Sequence, residues 1–333
     1  MSSAKKNQFI KNMTILERLQ PFLVLISVIL GLSLGQNTGI SQTASVLIVP
    51  LLDLMLYATF IPLDFKKFKE TRGKLNVVLI SLGINFVWTP LFAWGLGAIF
   101  LNSVPDVWVG FLMLMVTPCT DWYLVFTGIS GGNVALATAL LPLNLILQIL
   151  LLPLYLLIFA NQLVSINPAQ LLNSLLWVLL LPWLLAVLSR RWILWAKSRR
   201  YFEVNLSKIS QIQVLALNGA IVAIFASEGR SLINRPDILL SLILPIGLFF
   251  VCNFSLGYFL GQRFKLSYED FACLTCTTLA RNSPLSLAVA ASVFPHQPLI
   301  TLTLVIGPLI ELPTLVLVSQ LLLKIQKQER WTV

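Results

Sequence analysis

Charged and titratable side chains are scarce in this sequence. Only 11% of the 333 residues are Asp, Glu, Lys or Arg, and His296 is the single histidine. No metal-ligand motif surrounds that histidine, so a metal-dependent hydrolase is poorly supported. Serine chemistry would need a general base near Ser283, and the sequence offers none there. We therefore expect no enzyme activity, no catalytic residue, no bound metal and no cofactor.

Polar surface is also lacking. The chain is 57% hydrophobic and its mean hydropathy is +0.87. A soluble domain of this length needs far more polar surface to cover its core. The net charge of +10 does not indicate nucleic-acid binding, because no polar domain is present to carry a basic surface.

Two features of secreted proteins are missing as well. The four cysteines (Cys119, Cys252, Cys273 and Cys276) all lie inside apolar runs, so a disulfide framework is not expected. The segment Met1 to Asn12 is polar and rich in lysine, with no cleavable apolar core behind it. We therefore expect no signal peptide and a retained first span.

What the sequence does have is a series of long apolar runs. A helix needs about 20 apolar residues to cross the ~30 Å hydrocarbon layer. The runs are continuous rather than alternating, which favours helices over a barrel. They predict one all-α membrane unit, residues 1–333, with ten transmembrane helices. The predicted spans are Pro21–Gln36, Ser45–Pro62, Val77–Leu101, Trp108–Ile129, Val134–Ala160, Leu171–Leu188, Ile209–Ala226, Ile238–Leu260, Tyr268–Phe294 and Leu299–Leu323.

The basic residues predict the orientation. With the N-terminus in the cytoplasm and ten crossings, 20 of the 23 Lys and Arg residues fall in cytoplasmic segments. Outside connectors hold Arg230 and Arg235, and Arg281 lies within a span. By the positive-inside rule, both termini are expected to be cytoplasmic, in the cell (inner) membrane.

The prolines suggest an internal repeat. Pro118 and Pro142, in spans four and five, are 24 residues apart, and so are Pro284 and Pro308 in spans nine and ten. The two pairs are offset by 166 residues. Two halves of five helices each must have opposite orientations, which predicts inverted repeats at about 16–160 and 169–325.

Spans four and nine carry polar clusters around their prolines. The clusters are Thr117-Pro118-Cys119-Thr120-Asp121-Trp122 and Thr277-Thr278-Leu279-Ala280-Arg281-Asn282-Ser283-Pro284. Proline removes a backbone donor and clashes with the preceding turn, so these helices should break. Unwound backbone at membrane depth lines a cavity or is buried in protein, and its half-helix ends can bind solutes. A kink used only for packing is the alternative.

Four ionisable residues fall at apparent membrane depth: Asp53, Asp121, Arg281 and Glu311. Each costs a few kcal/mol or more unless it is paired or faces water. Asp121 and Arg281 are the natural partners, because the two broken spans should meet. Protonation of Asp121 would free Arg281 to attract a solute; a static ion pair is the alternative. Glu311 and Asp53 are further candidate proton sites. The alternative for Glu311 is a hydrogen bond to backbone freed by Pro313, and the alternative for Asp53 is a position nearer the membrane interface.

The order and spacing of several motifs resemble the arsenite permease branch of the bile acid/arsenite/riboflavin transporter superfamily. These are Leu16-Glu17-Arg18, Asn85 with Pro90, Pro118-Cys119-Thr120 followed by Gly131-Gly132-Asn133, and Gly307-Pro308-Leu309-Ile310-Glu311-Leu312-Pro313. The resemblance implies ten helices in two inverted repeats, divided into a panel domain and a core domain. It also implies that spans four and nine cross beside the substrate, with Cys119 and Glu311 in a metalloid-transport role.

The sequence also departs from that branch. Asp121 stands where a small apolar residue is usual, and Arg281-Asn282-Ser283-Pro284 replaces an asparagine-rich, glutamate-containing motif. The positions that hold sodium in the bile acid branch are Tyr123, Leu124, Ala137, Leu141, Thr277 and Arg281 here. Because Arg281 would repel a cation, sodium coupling is not expected.

Together these observations predict a secondary transporter, with protons as the coupling ion, that exports arsenite, antimonite or a related small oxyacid. The predicted solute contacts are Cys119, Thr120, Arg281, Asn282 and Ser283, and the predicted proton-coupling residues are Asp121, Glu311 and Asp53. The alternative is an importer of a small organic anion bound by Arg281; a channel is a third possibility. The expected partners are the lipid bilayer and a small solute or ion, and the sequence does not indicate an oligomeric state.

Overall fold

The computed structural model describes residues 15–63, 73–120, 122–164, 166–233, 236–327 and Trp331. Nearly all of these residues are helical, and the one β-type pairing among them is an isolated bridge between Pro118 and Arg281. The α-helices are α1 (Ile15–Leu34), α2 (Thr38–Phe60), α3 (Leu75–Gly83), α4 (Thr89–Phe100), α5 (Pro105–Val116), α6 (Trp122–Ile129), α7 (Val134–Ile158), α8 (Pro168–Leu175), α9 (Leu181–Ala196), α10 (Arg199–Ile233), α11 (Pro236–Arg263), α12 (Tyr268–Leu279), α13 (Ser283–Val293) and α14 (Pro298–Lys327).

The helices have the length and the apolar surface of membrane-spanning segments. Seven of those in the described residues are long and apolar enough to cross a membrane. Three shorter apolar helices accompany them: Phe22–Leu34, Pro105–Val116 and Ser283–Val293. Large apolar side chains face outward, including Ile29, Trp195 and Leu240, which only an apolar solvent would favour. The prediction of an all-α integral membrane protein is confirmed.

The two predicted breaks are present. Span four divides into α5 and α6, and span nine divides into α12 and α13. Proline alone does not cause this, since α2, α7, α11 and α14 run continuously through internal prolines. Elsewhere a wide π-helical turn precedes the proline: Ile84–Trp88 leads into α4, and Leu176–Leu180 leads into α9. Such turns relieve the clash that proline makes with the preceding turn.

Helices α1 and α2 each pack closely against α10, and α9 lies against α2. The approach of α1 to α10 depends on Gly31, where an added Cβ would lie 2.6 Å from Phe225 Cβ and 2.7 Å from Val222 O. Small residues allow helix backbones to approach in membranes, where van der Waals packing drives association. Two further helices contact this layer: α13, the second half of a broken span, contacts α2, and the continuous helix α14 contacts α10.

The start of α12 is bound to two other parts of the chain. Asp270, in the first turn of α12, accepts from Lys74 Nζ at 2.6 Å and from Asn133 Nδ2 at 2.9 Å. The N–H of Asn133 donates to Glu269 O at 2.9 Å, and Gly131 makes the preceding turn with a φ of +73° that glycine tolerates. These contacts fix the start of α12 to the α6–α7 turn and to the residue before α3.

Trp331 packs at the same end. Its ring stacks on Phe271 with centroids 3.9 Å apart, and its indole N–H donates to Leu266 O at 2.7 Å. The indole thereby covers the entry into α12.

Candidate functional site

The two helix breaks cross each other as a short antiparallel pair. Pro118 and Arg281 form the bridge, with Cys119 N–H donating to Ala280 O at 3.0 Å and Asn282 N–H donating to Thr117 O at 2.7 Å. Backbone groups at membrane depth must find partners within the protein. Each extended segment therefore satisfies the other, which allows both helices to stay interrupted.

Hydroxyl groups next to the crossing connect the two broken spans by hydrogen bonds. Thr117 Oγ1 and Ser286 Oγ lie 2.6 Å apart, and Ser286 Oγ donates to Met113 O at 3.0 Å. Ser286 is in α13 and Met113 is in α5, so this contact ties the second half of one broken span to the first half of the other.

Residues of the breaks also cap the helices that restart. Cys119 Sγ accepts from Trp122 N–H at 3.2 Å, at the beginning of α6. Asn282 Oδ1 accepts from Leu285 N–H at 3.1 Å, at the beginning of α13, and Asn282 Nδ2 donates to Thr120 Oγ1 at 3.4 Å. Cys119, Thr120 and Asn282 are all buried at the crossing.

The Arg281 guanidinium is buried and directed at backbone carbonyls. It donates to Met115 O at 2.9 Å through Nη1, to Leu279 O at 3.3 Å through Nε, and to Thr278 O through Nη2. Nη2 also donates to Asn85 Oδ1 at 3.2 Å, and the Phe249 ring lies 5.0 Å from the guanidinium carbon. The side chain therefore places a positive charge at the C-terminal ends of both α5 and α12, where helix dipoles favour cations.

The backbone of Arg281 makes a separate contact. Its N–H donates to Glu311 Oε1 at 2.8 Å, and Glu311 is 4% exposed on α14. A carboxylate in this position accepts a donor freed by the helix break. The Glu311 carboxylate therefore binds the main chain of Arg281, whereas the Arg281 guanidinium binds backbone carbonyls of other residues. Both charged groups lie at the crossing.

A cavity of about 40 Å³ lies beside these residues. Arg281, Ser283 and Glu311 line it on the side of the crossing, and Trp122 of α6 also borders it. Val24 of α1 and Leu217 of α10 close it from the other layer. Ser283 Oγ donates to Leu304 O in α14, which fixes the first residue of α13 against the cavity wall. The cavity therefore sits between the α1–α2–α10 layer and the crossing.

Asp121 and Asp53 are not among the residues that form the crossing and its cavity in the described part of the chain. Asp121 lies outside the residues that the structure describes, so its predicted pairing with Arg281 stays a prediction. Asp53 is half-buried on α2, and its Oδ1 has no hydrogen-bond partner among the described residues. Asp53 is not among the residues that line the cavity.

The cysteines do not assemble a metal site in the described part of the chain. No group of three His, Cys, Asp or Glu side chains is placed there to hold a metal ion. All four cysteines are described, and none of them forms a disulfide.

Some site groups were missed by the sequence analysis. The carbonyls of Met115, Thr278 and Leu279 carry no sequence signal, because every residue has a carbonyl. Asn85 was named only as part of the family resemblance, but a polar residue in an apolar span, four residues before Thr89-Pro90, is a signal that could have placed it at the site. It lies on the π-helical turn, donates to Thr277 O at 3.2 Å and accepts from Arg281.

The arrangement of broken helices crossing beside a small cavity is that of a membrane transporter. Residues 49–235, more than half of the chain, match the Sodium Bile acid symporter family, and the chain belongs to that family. It is 26% identical over 330 residues to an uncharacterized transporter of Synechocystis, covering 90% of this chain and 86% of the relative.

Two relatives are named for arsenical resistance. The arsenical-resistance protein Acr3 of Corynebacterium glutamicum is 24% identical over 321 residues, covering 90% of this chain and 87% of its own length. Acr3 of Alkaliphilus metalliredigens is 24% identical over 328 residues, covering 92% and 91%. The predicted resemblance is confirmed over nearly the whole chain.

Proposed function

We propose that this protein is a proton-coupled secondary transporter that exports arsenite, antimonite or a related small oxyacid. The observation that carries the proposal is the small cavity at the crossing, bordered by both Arg281 and Glu311. The two Acr3 relatives give the substrate class, since both are named for arsenical resistance.

The architecture proposed for this function is ten crossings in two inverted repeats, at about 16–160 and 169–325. Five pairs of helices begin 161 to 164 residues apart, which supports the repeat. They are α2 and α10, α3 and α11, α5 and α12, α6 and α13, and α7 and α14. We place both termini in the cytoplasm and the protein in the cell inner membrane, because the basic residues segregate to that side.

Cavity size favours a small solute over a large one. A volume of about 40 Å³ corresponds to ~3 water molecules. A trihydroxy oxyacid approaches this scale, whereas a bile acid or another bulky organic anion exceeds it many times over. The solute would lie against Ser283, Arg281 and Glu311, with Cys119, Thr120 and Asn282 forming the crossing behind it.

Arg281 would act on the solute through its charge. Four of its five N–H donors already reach oxygen atoms of the protein. A fixed positive charge beside the cavity still attracts the negative end of a polar solute, because charges interact more strongly inside a protein than in bulk water. Its role as a solute contact is thus electrostatic in this proposal.

Glu311 is the proposed principal proton site. It is buried next to the cavity, and in its ionised form it accepts the Arg281 N–H. Uptake of a proton from one side would neutralise it while the solute leaves toward that side. Asp121 and Asp53 remain additional candidates for the same pathway.

The test is transport in everted membrane vesicles and proteoliposomes. We expect arsenite uptake into everted vesicles, driven by a pH gradient and unchanged when choline replaces sodium. A panel of small carboxylates and sulfonates, tested under the same gradients, represents organic anion import. Flux of such an anion without any flux of arsenite or antimonite would overturn the proposal and favour the importer.

A further inference from the structure

Four oxygen atoms from three helical segments converge on the Arg281 guanidinium. Met115 O comes from the last turn of α5, and Thr278 O and Leu279 O come from the last turn of α12. Asn85 Oδ1 comes from the π-helical turn between α3 and α4. These groups share no sequence proximity, so the fold itself assembles them.

The chemistry of this cage is that of a monovalent cation site. The last carbonyls of a helix have no partner within the helix and carry partial negative charge. Carbonyls at the ends of interrupted membrane helices bind alkali cations in transporters. No carboxylate among the described residues lies within ion-pair distance of the guanidinium, since Glu311 binds the backbone N–H instead. Neutral oxygens suit a single positive charge.

We propose that Arg281 is a permanently bound cation: its guanidinium fills an internal monovalent-cation site made by the C-terminal ends of α5 and α12 together with Asn85. This inference rests on the proposed function and deepens it: a tethered guanidinium would take the place of an exchangeable alkali cation at the crossing. The side chain is tethered and cannot leave, so the site stays charged in every step of the cycle. Removal of the side chain uncovers an oxygen-lined hole.

The consequence is chemical rescue. In Arg281→Ala, methylguanidinium or an alkali cation should enter the hole and restore the missing charge. We expect the purified variant to melt at a lower temperature than the wild type. Millimolar methylguanidinium or sodium should raise that temperature by roughly 2–4 °C or more, with choline chloride at equal concentration as the salt control. The wild type should not respond. Arg199→Ala, which removes an exposed arginine paired with Glu203, is the matched control and should not respond either.

A second pair of variants covers the case in which Arg281→Ala does not fold. Arg281→Lys keeps a cation within reach of the carbonyls, and Arg281→Gln keeps the length without the charge. We expect Arg281→Lys to be the more stable of the two. The inference is overturned if Lys and Gln behave alike, or if no small cation stabilises Arg281→Ala beyond choline.

These outcomes are separable from the proposed function. Melting temperatures need no solute, so cation rescue can succeed while arsenite transport is absent, which would overturn only the substrate. Conversely, arsenite transport by the wild type with no cation rescue in any variant would overturn only the bound-cation inference.

Discussion

Glu311 Oε1 accepts the backbone N–H of Arg281 at 2.8 Å, although the guanidinium of the same residue points to backbone carbonyls and Asn85. The carboxylate therefore supports the helix break itself. Any change in the charge of Glu311 acts directly on the extended segment that crosses Pro118. This contact links a candidate proton site to the geometry beside the cavity.

Replacement of Glu311 separates its two roles. Glu311→Gln keeps an oxygen that can accept the Arg281 N–H but cannot bind a proton reversibly, so we expect near-wild-type melting and loss of pH-gradient-driven arsenite flux. Glu311→Ala leaves a buried donor without its acceptor and should lower the free energy of unfolding by about 1–3 kcal/mol. Wild-type gradient dependence in Glu311→Gln would remove Glu311 from the proton pathway.

The contact between Thr117 and Ser286 should show pairwise coupling. We expect Thr117→Val and Ser286→Ala each to destabilise the protein, and the double variant to lose less than the sum. The coupling energy should be about 0.6 kcal/mol and no more than ~1.7 kcal/mol, as is typical of hydrogen bonds between membrane helices. Thermal melting of all four proteins gives the cycle; strict additivity would mean that the two hydroxyls do not bond.

A methyl group at Gly31 should separate α1 from α10. Because the added Cβ would lie 2.6 Å from Phe225 Cβ, Gly31→Ala is expected to cost about 1–3 kcal/mol. Gly95→Ala is the matched control: Gly95 is also inside a helix, and an added Cβ meets nothing within 4 Å. That control should be neutral or more stable by about 0.5–1 kcal/mol. Equal melting temperatures for the two variants would contradict the close packing.

The contact of Lys74 with Asp270 should depend on which partner is removed. The side chain of Asp270 is 4% exposed and that of Lys74 is 45% exposed. Lys74→Met leaves a buried carboxylate with Asn133 as its remaining side-chain partner, and we expect a loss of about 1.5–3 kcal/mol. Adding Asp270→Asn removes the unpaired charge, so the double variant should melt above Lys74→Met. A further drop instead would show that the carboxylate is needed for more than this pair.

The breaks could be predicted from the sequence because their signal is local, although the pairing that stabilises them is not. Apolar length gives the spans, and proline within a polar cluster gives the interruptions. The two prolines take different places at the breaks: Pro118 lies in the extended segment and pairs with Arg281. Pro284 lies in the first turn of α13, a position that proline tolerates.

The site was only partly predictable. Burial of Arg281 and Glu311 follows from their position in apolar spans, so both could be singled out. The direction of the guanidinium could not be foreseen, since it depends on which backbone carbonyls the crossing leaves without partners. The partial charges that oppose the guanidinium belong mainly to the main chain, which has no charge signal in the sequence.

The antiparallel pairing at the crossing also limits when the fold can be completed during translation. Cys119 N–H binds Ala280 O, so the ribosome must add about 160 further residues before the donor meets its acceptor. Until then the first interruption has no main-chain partner in the nascent chain. Completion of the membrane fold therefore waits for the second half of translation, and a chain truncated before Ala280 lacks the group that closes the first break.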